Sequence, residues 1–146
     1  MSKLIPLALL SLVAVACSSK PTWTEYKKGP VTMQFPCKPV EVANTNTVKC
    51  TTNDGSEWRL ESVDKGADAT PETSLAEAKD YADQIPNSEL IKVDAFPVKW
   101  RETRRTTKVE AWLYHKDRWD YTVAVNYSTP QPPALAAEFF SKAKVE

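Results

Sequence analysis

Apolar and polar residues alternate through the middle of this chain with the period of two that is typical of β-strands. The segments predicted to be extended on this basis are 31–35, 45–52, 57–63, 90–93 and 98–103. Pro36, Pro39 and Pro97 interrupt the pattern, since proline cannot donate to a strand ladder. The run Asn53-Asp54-Gly55-Ser56 predicts a turn between the second and third segments.

A longer hairpin is expected from two further alternating segments, 107–115 and 119–127. A three-residue turn at 116–118 would collect the apolar residues of both strands on one face of the sheet. These residues are Val109, Ala111, Leu113, His115, Trp119, Tyr121, Val123, Val125 and Tyr127. Trp112 and Tyr114 would then lie on the opposite face, and such an aromatic face is expected to be covered by another element.

Two other segments have the 3.6-residue period of helices. Ser74 and Glu77 have capping-box spacing, and the apolar stripe that follows ends before Pro86. That stripe contains Leu75, Ala78, Tyr81, Ala82 and Ile85. A final helix is expected from Pro132-Pro133 to about Ala143. Together, the elements predict one α+β domain over 23–146, an antiparallel β-sheet with helices packed on its faces.

The N terminus has the pattern of an exported lipoprotein. Lys3 precedes an apolar run of thirteen residues, 4–16, which is too short to span a bilayer. The segment 12–17 resembles the lipobox, in which small residues precede a lipidated cysteine, although Ala14 stands where Leu is commoner. We therefore expect a signal peptide at 1–16, and a lipidated Cys17 with a short tether at 17–22. The alternative is a plain secretory signal with an incidental Cys17.

The expected cellular location follows from the same N-terminal region. Ser18 is not the aspartate that, by resemblance to enterobacterial sorting rules, retains lipoproteins in the inner membrane. The sequence thus predicts a lipid-anchored protein of the cell envelope, in the outer membrane where the organism has one. The chain has 19 basic and 19 acidic residues, so no net field favours a nucleic-acid partner. The expected partners are the membrane, through the lipid, and an envelope protein or anionic lipid.

The three cysteines leave a pair once Cys17 is lipidated. Cys37 and Cys50 should form a disulfide, because disulfides persist outside the cytoplasm. Free thiols or a metal site are the weaker alternatives, since the chain has one histidine and no C-x-x-C spacing. Glycine occurs only at positions 29, 55 and 66, which excludes the glycine-rich phosphate and dinucleotide loops. Neither a metal nor a cofactor is expected.

Two groups of residues are candidates for binding. Five cations between positions 99 and 108 could bind phosphate groups or an acidic partner, or could simply protect a sheet edge. They are Lys99, Arg101, Arg104, Arg105 and Lys108. Three aromatic residues, Trp100, Trp112 and Tyr114, could stack on sugars or anchor a partner, or could belong to the core.

No catalytic motif is present, and the chain is not expected to be an enzyme. The one candidate general base is His115, close in sequence to acidic residues. A solvated histidine beside a turn is the commoner case. The alternative function is therefore an envelope hydrolase that uses His115.

One family resemblance is present. Phe35-Pro36 at the end of the leading strand, the aromatic hairpin and the segment 138–141 in the terminal helix resemble the PsbP-like group, which includes the extrinsic subunit of photosystem II. The resemblance covers about residues 23–146 and implies a PsbP-like sandwich. Known members mainly bind other macromolecules, which implies a binding or structural module of the cell envelope. No functional residues of the group can be carried over to this chain.

Metabolic labelling with a fatty-acid analogue tests the assignment of Cys17. We expect the wild-type chain to be labelled and Cys17→Ser to be unlabelled and unprocessed, because the thioether requires the cysteine sulfur. A variant with Cys37 and Cys50 both changed to Ser should keep its label. Label that survives Cys17→Ser would contradict the lipobox assignment.

Overall fold

The structure is a computed structural model that describes residues 20–146. The expected signal peptide at 1–16, the lipidation at Cys17 and the start of the tether therefore lie outside the described residues. Within residues 20–146, none of the helices has both the length and the apolar character needed to cross a bilayer.

Ten strands and two helices follow one another in the described part of the chain. The strands are β1 (Thr24–Lys28), β2 (Val31–Phe35), β3 (Val40–Glu41), β4 (Thr47–Thr51), β5 (Glu57–Asp64), β6 (Ser88–Lys92), β7 (Val98–Arg104), β8 (Thr107–Lys116), β9 (Trp119–Tyr127) and β10 (Lys144–Val145). The helices are α1 (Pro71–Gln84) and α2 (Ala136–Ser141). The strand segments expected from alternation are confirmed, whereas β1, β3 and β10 were not anticipated.

The strands form two antiparallel sheets. A seven-stranded sheet has the order β3-β4-β5-β9-β8-β7-β6, and a three-stranded sheet has the order β1-β2-β10. The small sheet and α2 pack against one face of the large sheet, which we call the core face. Helix α1 packs against the other face, which we call the α1 face. The expected antiparallel α+β arrangement is confirmed at this level.

The main hydrophobic core lies between the core face and the small sheet. Met33 and Phe35 of β2 meet Trp58, Leu60 and Val123 of the large sheet, and all five are almost completely buried. Two consecutive aromatic residues of α2 complete this core. Phe139 lies 4.9 Å from Trp58 between ring centroids, and Phe140 stacks on Trp112 at 4.8 Å. The expectation that another element covers Trp112 is therefore confirmed.

The β8–β9 hairpin has a different register from the one expected. Lys116 pairs with Trp119, so the turn has two residues, and Asp117 has a φ of 55°. Such positive φ is usual in the tight turns whose twist matches that of the strands. As a result, Leu113 pairs with Thr122 on the α1 face, and Tyr114 pairs with Tyr121 on the core face. The three-residue turn was wrong because α1 covers the second face, so both faces carry apolar residues.

The helix ends also differ from expectation. Thr70 is the N-cap of α1 and forms a capping box with Thr73. Ser74, expected to be the capping residue, lies inside the helix and is buried against the sheet. Helix α2 has only six residues, because the chain turns after Ser141 to add β10 to the small sheet. Periodicity alone could not show that the last residues would pair as a strand.

The expected disulfide is present between Cys37 and Cys50, with their Cα atoms 5.8 Å apart. Cys37 lies just after β2 of the small sheet, and Cys50 lies in β4 of the large sheet. The bond therefore links the two sheets at one edge of the main core. In the chain-entropy model, a closed loop of this length stabilises the folded state by about 3 kcal/mol.

Removal of the disulfide should lower the stability of the domain. We expect a variant with Cys37 and Cys50 both changed to Ala to lose on the order of 2–5 kcal/mol of unfolding free energy in urea denaturation. The reduced wild type serves as the matched control and should unfold like the variant. Rapid alkylation of both thiols in the native, non-reduced protein would show that the pairing is wrong.

Candidate functional site

The five candidate cations do not form one patch. Alternation along β7 directs Lys99 and Arg101 to the core face and Arg104 to the α1 face. The Nζ atom of Lys99 lies 3.6 Å from the ring centroid of Trp112. Arg101 forms an ion pair with Glu110, at 3.4 Å between Nη2 and Oε2. Two of the five are thus engaged at the edge of the core face.

The other three cations lie at the β7–β8 turn or near it. Arg104 contacts Glu102 at 2.5 Å and donates a hydrogen bond to the hydroxyl of Tyr81. Lys108 donates to the carbonyl of Pro130 at 2.6 Å. Arg105 is exposed in the turn, with a φ of 52°. Binding of anions by these cations stays a prediction. It now depends mainly on Arg105, because the other four cations contact neighbouring side chains or backbone.

The three candidate aromatic residues are also divided between the faces. Trp112 and Tyr114 pack against the main core, and burial raises the pKa of the Tyr114 phenol to about 12. Trp100 lies on the α1 face, where its ring meets that of Tyr81 edge-on at 6.3 Å between centroids. Only Trp100 therefore contributes to a cavity on the α1 face.

His115 is not the solvated turn residue that was expected, since its side chain is 3% exposed. Its Nδ1 atom lies 2.7 Å from Oδ1 of Asp120. Ser74 of α1 places its hydroxyl 3.0 Å from the same nitrogen and donates to Asp120 at 2.9 Å. The three side chains form a buried network that joins the first turns of α1 to the β8–β9 hairpin.

The residue types of this network are those of a serine hydrolase, but the geometry is different. In a catalytic triad, the serine and the carboxylate contact opposite nitrogens of the imidazole. Here Ser74 and Asp120 both contact Nδ1, and Ser74 is 1% exposed. The arrangement is suited to holding α1 on the sheet. Ser74 lies 41 positions from His115, so no local pattern could indicate that these two residues meet.

A more promising site is a cavity of about 250 Å³ on the α1 face, which we call the α1-face groove. Its floor contains Val109, Ala111 and Ala124, whose small side chains leave space above the sheet. Tyr81 and Trp100 form a wall that is shared with an adjoining cavity of about 200 Å³ beneath α1. The groove lies on paired strands, which hold its lining in place.

Among the described residues, four buried side-chain atoms lack a hydrogen-bond partner, and two of them are oxygens of residues that line the groove. One is Oε2 of Glu102, a carboxylate that is 1% exposed, and the other is Oδ1 of Asn126. Both residues line the groove. Buried polar atoms are almost always satisfied, so each exception requires an explanation. Sequence reasoning missed Glu102, although its position between Trp100 and Arg104 on one face of β7 was available as a signal.

Within residues 20–146, no three side chains of the metal-ligating types come together as a cation site would require.

Comparison with known proteins gives no family. No family model and no curated protein matches the chain. Among solved structures, it is similar to a Pseudomonas aeruginosa protein of unknown function, with a TM-score of 0.49 and 12% identity. That likeness covers 82% of this chain and 92% of the other. At this level, it carries no argument about ligand or activity.

The buried network of Ser74, His115 and Asp120 should contribute measurably to stability. We expect Asp120→Asn to lower the unfolding free energy by about 1–3 kcal/mol, because a buried charged acceptor shared by two groups is lost. The measurement is urea denaturation. Asp117→Asn, an exposed neighbour in a turn that tolerates asparagine, is the matched control and should change little. Equal effects of the two substitutions would contradict the structural role of the network.

Proposed function

We propose that this chain is a lipid-anchored binding module of the cell envelope, with a PsbP-like domain whose ligand site is the α1-face groove. One observation carries the proposal: a cavity of about 250 Å³ lies on paired strands of the α1 face, with an alanine floor beside the indole of Trp100. A small molecule could rest on this floor against the aromatic wall.

The shape of the groove supports the same proposal. Binding sites for small molecules are concave and carry polar groups that fix orientation. The α1-face groove is concave, and its lining combines an alanine floor and the indole of Trp100 with charged side chains, among them Arg59 and Glu102. Its lining comes largely from strands β5, β7, β8 and β9, so little ordering would be needed on binding.

The proposed location in the cell envelope rests on the N-terminal sequence pattern and is supported by the disulfide. A bond between Cys37 and Cys50 fits an oxidising compartment. Strand β1 begins at Thr24, seven residues after Cys17. Seven extended residues span about 25 Å at most, so the lipid would hold the domain close to the membrane surface.

The alternative function, a hydrolase that uses His115, receives less support. Its only serine within hydrogen-bond distance, among the described residues, is Ser74, which is buried and contacts the same nitrogen as Asp120. Anchoring through the candidate cations also receives less support than the groove, because most of them already have partners. Each exposed cation near an anionic surface contributes only about 1 kcal/mol.

Native mass spectrometry of the lipoprotein, released gently from its own envelope, tests the proposed function. We expect the wild type to carry a non-covalent bound mass that is lost on denaturation. Ala124→Leu should lose most of this mass, because the longer side chain fills the floor of the groove. Ala76→Leu enlarges an exposed alanine of α1 and is the matched control, which should keep the bound mass.

Two outcomes would count against the proposal. A bound mass that is equal in wild type and Ala124→Leu would place the ligand elsewhere. If a strain that lacks the protein shows an envelope defect, rescue of that defect by Ala124→Leu but not by a folded His115→Ala variant would favour the hydrolase instead.

A further inference from the structure

The cavity beneath α1, which we call the α1 cavity, has a volume of about 200 Å³. Its apolar lining comes from Ala78 and Tyr81 of the helix and from Trp100 and Leu113 of the sheet. Such a lining offers water few hydrogen-bond partners, so an apolar group that displaces the water gains free energy. The α1 cavity is therefore suited to the apolar part of a ligand.

Three polar residues that also line the α1 cavity already have partners. Ser74 donates a hydrogen bond to Asp120 at 2.9 Å, and Glu77 forms an ion pair with Lys65. A ligand group in this cavity therefore gains little from new hydrogen bonds to these residues. Its main gain is the removal of apolar surface from water.

The α1 cavity exists because the helix presents small side chains to the sheet. Ser74 and Ala82 are buried residues of α1, and Ala78 lies between them, one helical turn from each. The space that these side chains leave above the sheet is not closed off from solvent. Tyr81, in its wall, is 44% exposed, so a ligand can reach the cavity beside this ring.

The α1 cavity adjoins the α1-face groove, and the two have different linings. Tyr81, Trp100 and Thr122 line both of them. A ligand that extends past this shared wall leaves apolar surroundings and enters polar ones, so it must be amphipathic. The charged residues that line the groove are Arg59, Glu61, Glu102 and Arg104.

The charges of the groove favour a ligand with a neutral polar head. Arg59 lies 3.4 Å from Glu61, and Arg104 lies 2.5 Å from Glu102. Each arginine thus has a carboxylate partner within the groove, and the charges of the four residues cancel. A charged head would compete with one of these ion pairs, whereas a hydroxyl or amide head would not.

The volume of the α1 cavity limits the size of the apolar group. An apolar cavity of about 150 Å³ accommodates benzene, so one of about 200 Å³ suits about six to eight carbons. From this geometry, we infer that the α1 cavity binds the apolar group of a small neutral amphiphile, whose polar head lies in the α1-face groove. The inference rests on the proposed binding function and names its ligand class.

Fluorine NMR of the full lipidated chain in detergent micelles, with fluorotryptophan at the five tryptophan positions, tests the inference. The Trp100 signal is identified by its loss in Trp100→Phe, and Trp58 of the main core is the internal control. The probes are n-butanol, n-hexanol, cyclohexanol, glycerol, hexanoate and hexylammonium. Concentrations are those of free probe, so that uptake into the micelles is taken into account.

We expect a saturable shift of the Trp100 signal with n-hexanol or cyclohexanol, none with glycerol, and an unchanged Trp58 signal. Hexanol should bind about tenfold more tightly than butanol, because each buried CH₂ contributes about fourfold. Tighter binding of hexanol than of cyclohexanol would indicate that the apolar group is a chain, and the reverse would indicate a ring.

Two matched substitutions in α1 locate the binding site. Ala78→Phe should weaken hexanol binding by about tenfold or more, because the ring takes the space of the apolar group. Ala76→Phe makes the same change at an exposed position of α1 and should leave binding unaltered. If thermal unfolding shows that Ala78→Phe does not fold, Leu113→Ala decides. It enlarges the cavity and should improve n-octanol relative to n-hexanol by about fourfold or more, and no improvement would contradict the inference.

The outcomes separate this inference from the proposed function. If the envelope-released protein carries a mass that depends on Ala124 but no alcohol shifts the Trp100 signal, the ligand class is wrong and the binding function stands. Tighter binding of hexanoate or hexylammonium than of hexanol would overturn the neutral head. Equal weakening by Ala78→Phe and Ala76→Phe, both folded, would also contradict the inference, because the effect would not be specific to the α1 cavity.

Discussion

Asp117 takes a positive φ of 55°, so the chain reverses in two residues between β8 and β9. This turn sets the register of the longest strand pair in the described chain, and β5 and β7 align to it on either side. A shift of one residue would exchange the two faces of a strand completely. Trp112 and Tyr114 therefore reach the main core, and Ala111 and Leu113 reach α1, because of the geometry of this single turn.

The two faces produced by this register differ in how far they are covered. The core face is closed by the small sheet and by Phe139 and Phe140 of α2. The α1 face is covered by one helix of fourteen residues, which is about 21 Å long and cannot cover a seven-stranded sheet. The uncovered part of that face contains the α1-face groove.

Helix α1 is held by polar contacts near both ends. Ser74, near the N terminus of the helix, forms a network with His115 and Asp120. The oxygens that make these contacts all have hydrogen-bond partners. Tyr81, near its C terminus, meets Arg104, whose partner Glu102 keeps one oxygen unpaired. Both sets of contacts hold the helix on the sheet. Because Ser74 and Asp120 contact the same nitrogen of His115, we propose binding rather than catalysis on this face.

The sequence by itself determined the antiparallel α+β class, the positions of the central strands and α1, and the Cys37–Cys50 pair, because alternation, helical period and cysteine count are local signals. It could not determine the register of the β8–β9 hairpin. A two-residue and a three-residue turn differ only in the face of the sheet to which each side chain is directed. The shared site of Ser74, His115 and Asp120, and the separation of Trp100 from Trp112, depend on contacts between distant segments. The burial of Glu102 was likewise decided by tertiary structure, because a charged residue in a strand is normally solvated unless distant segments of the chain pack around it.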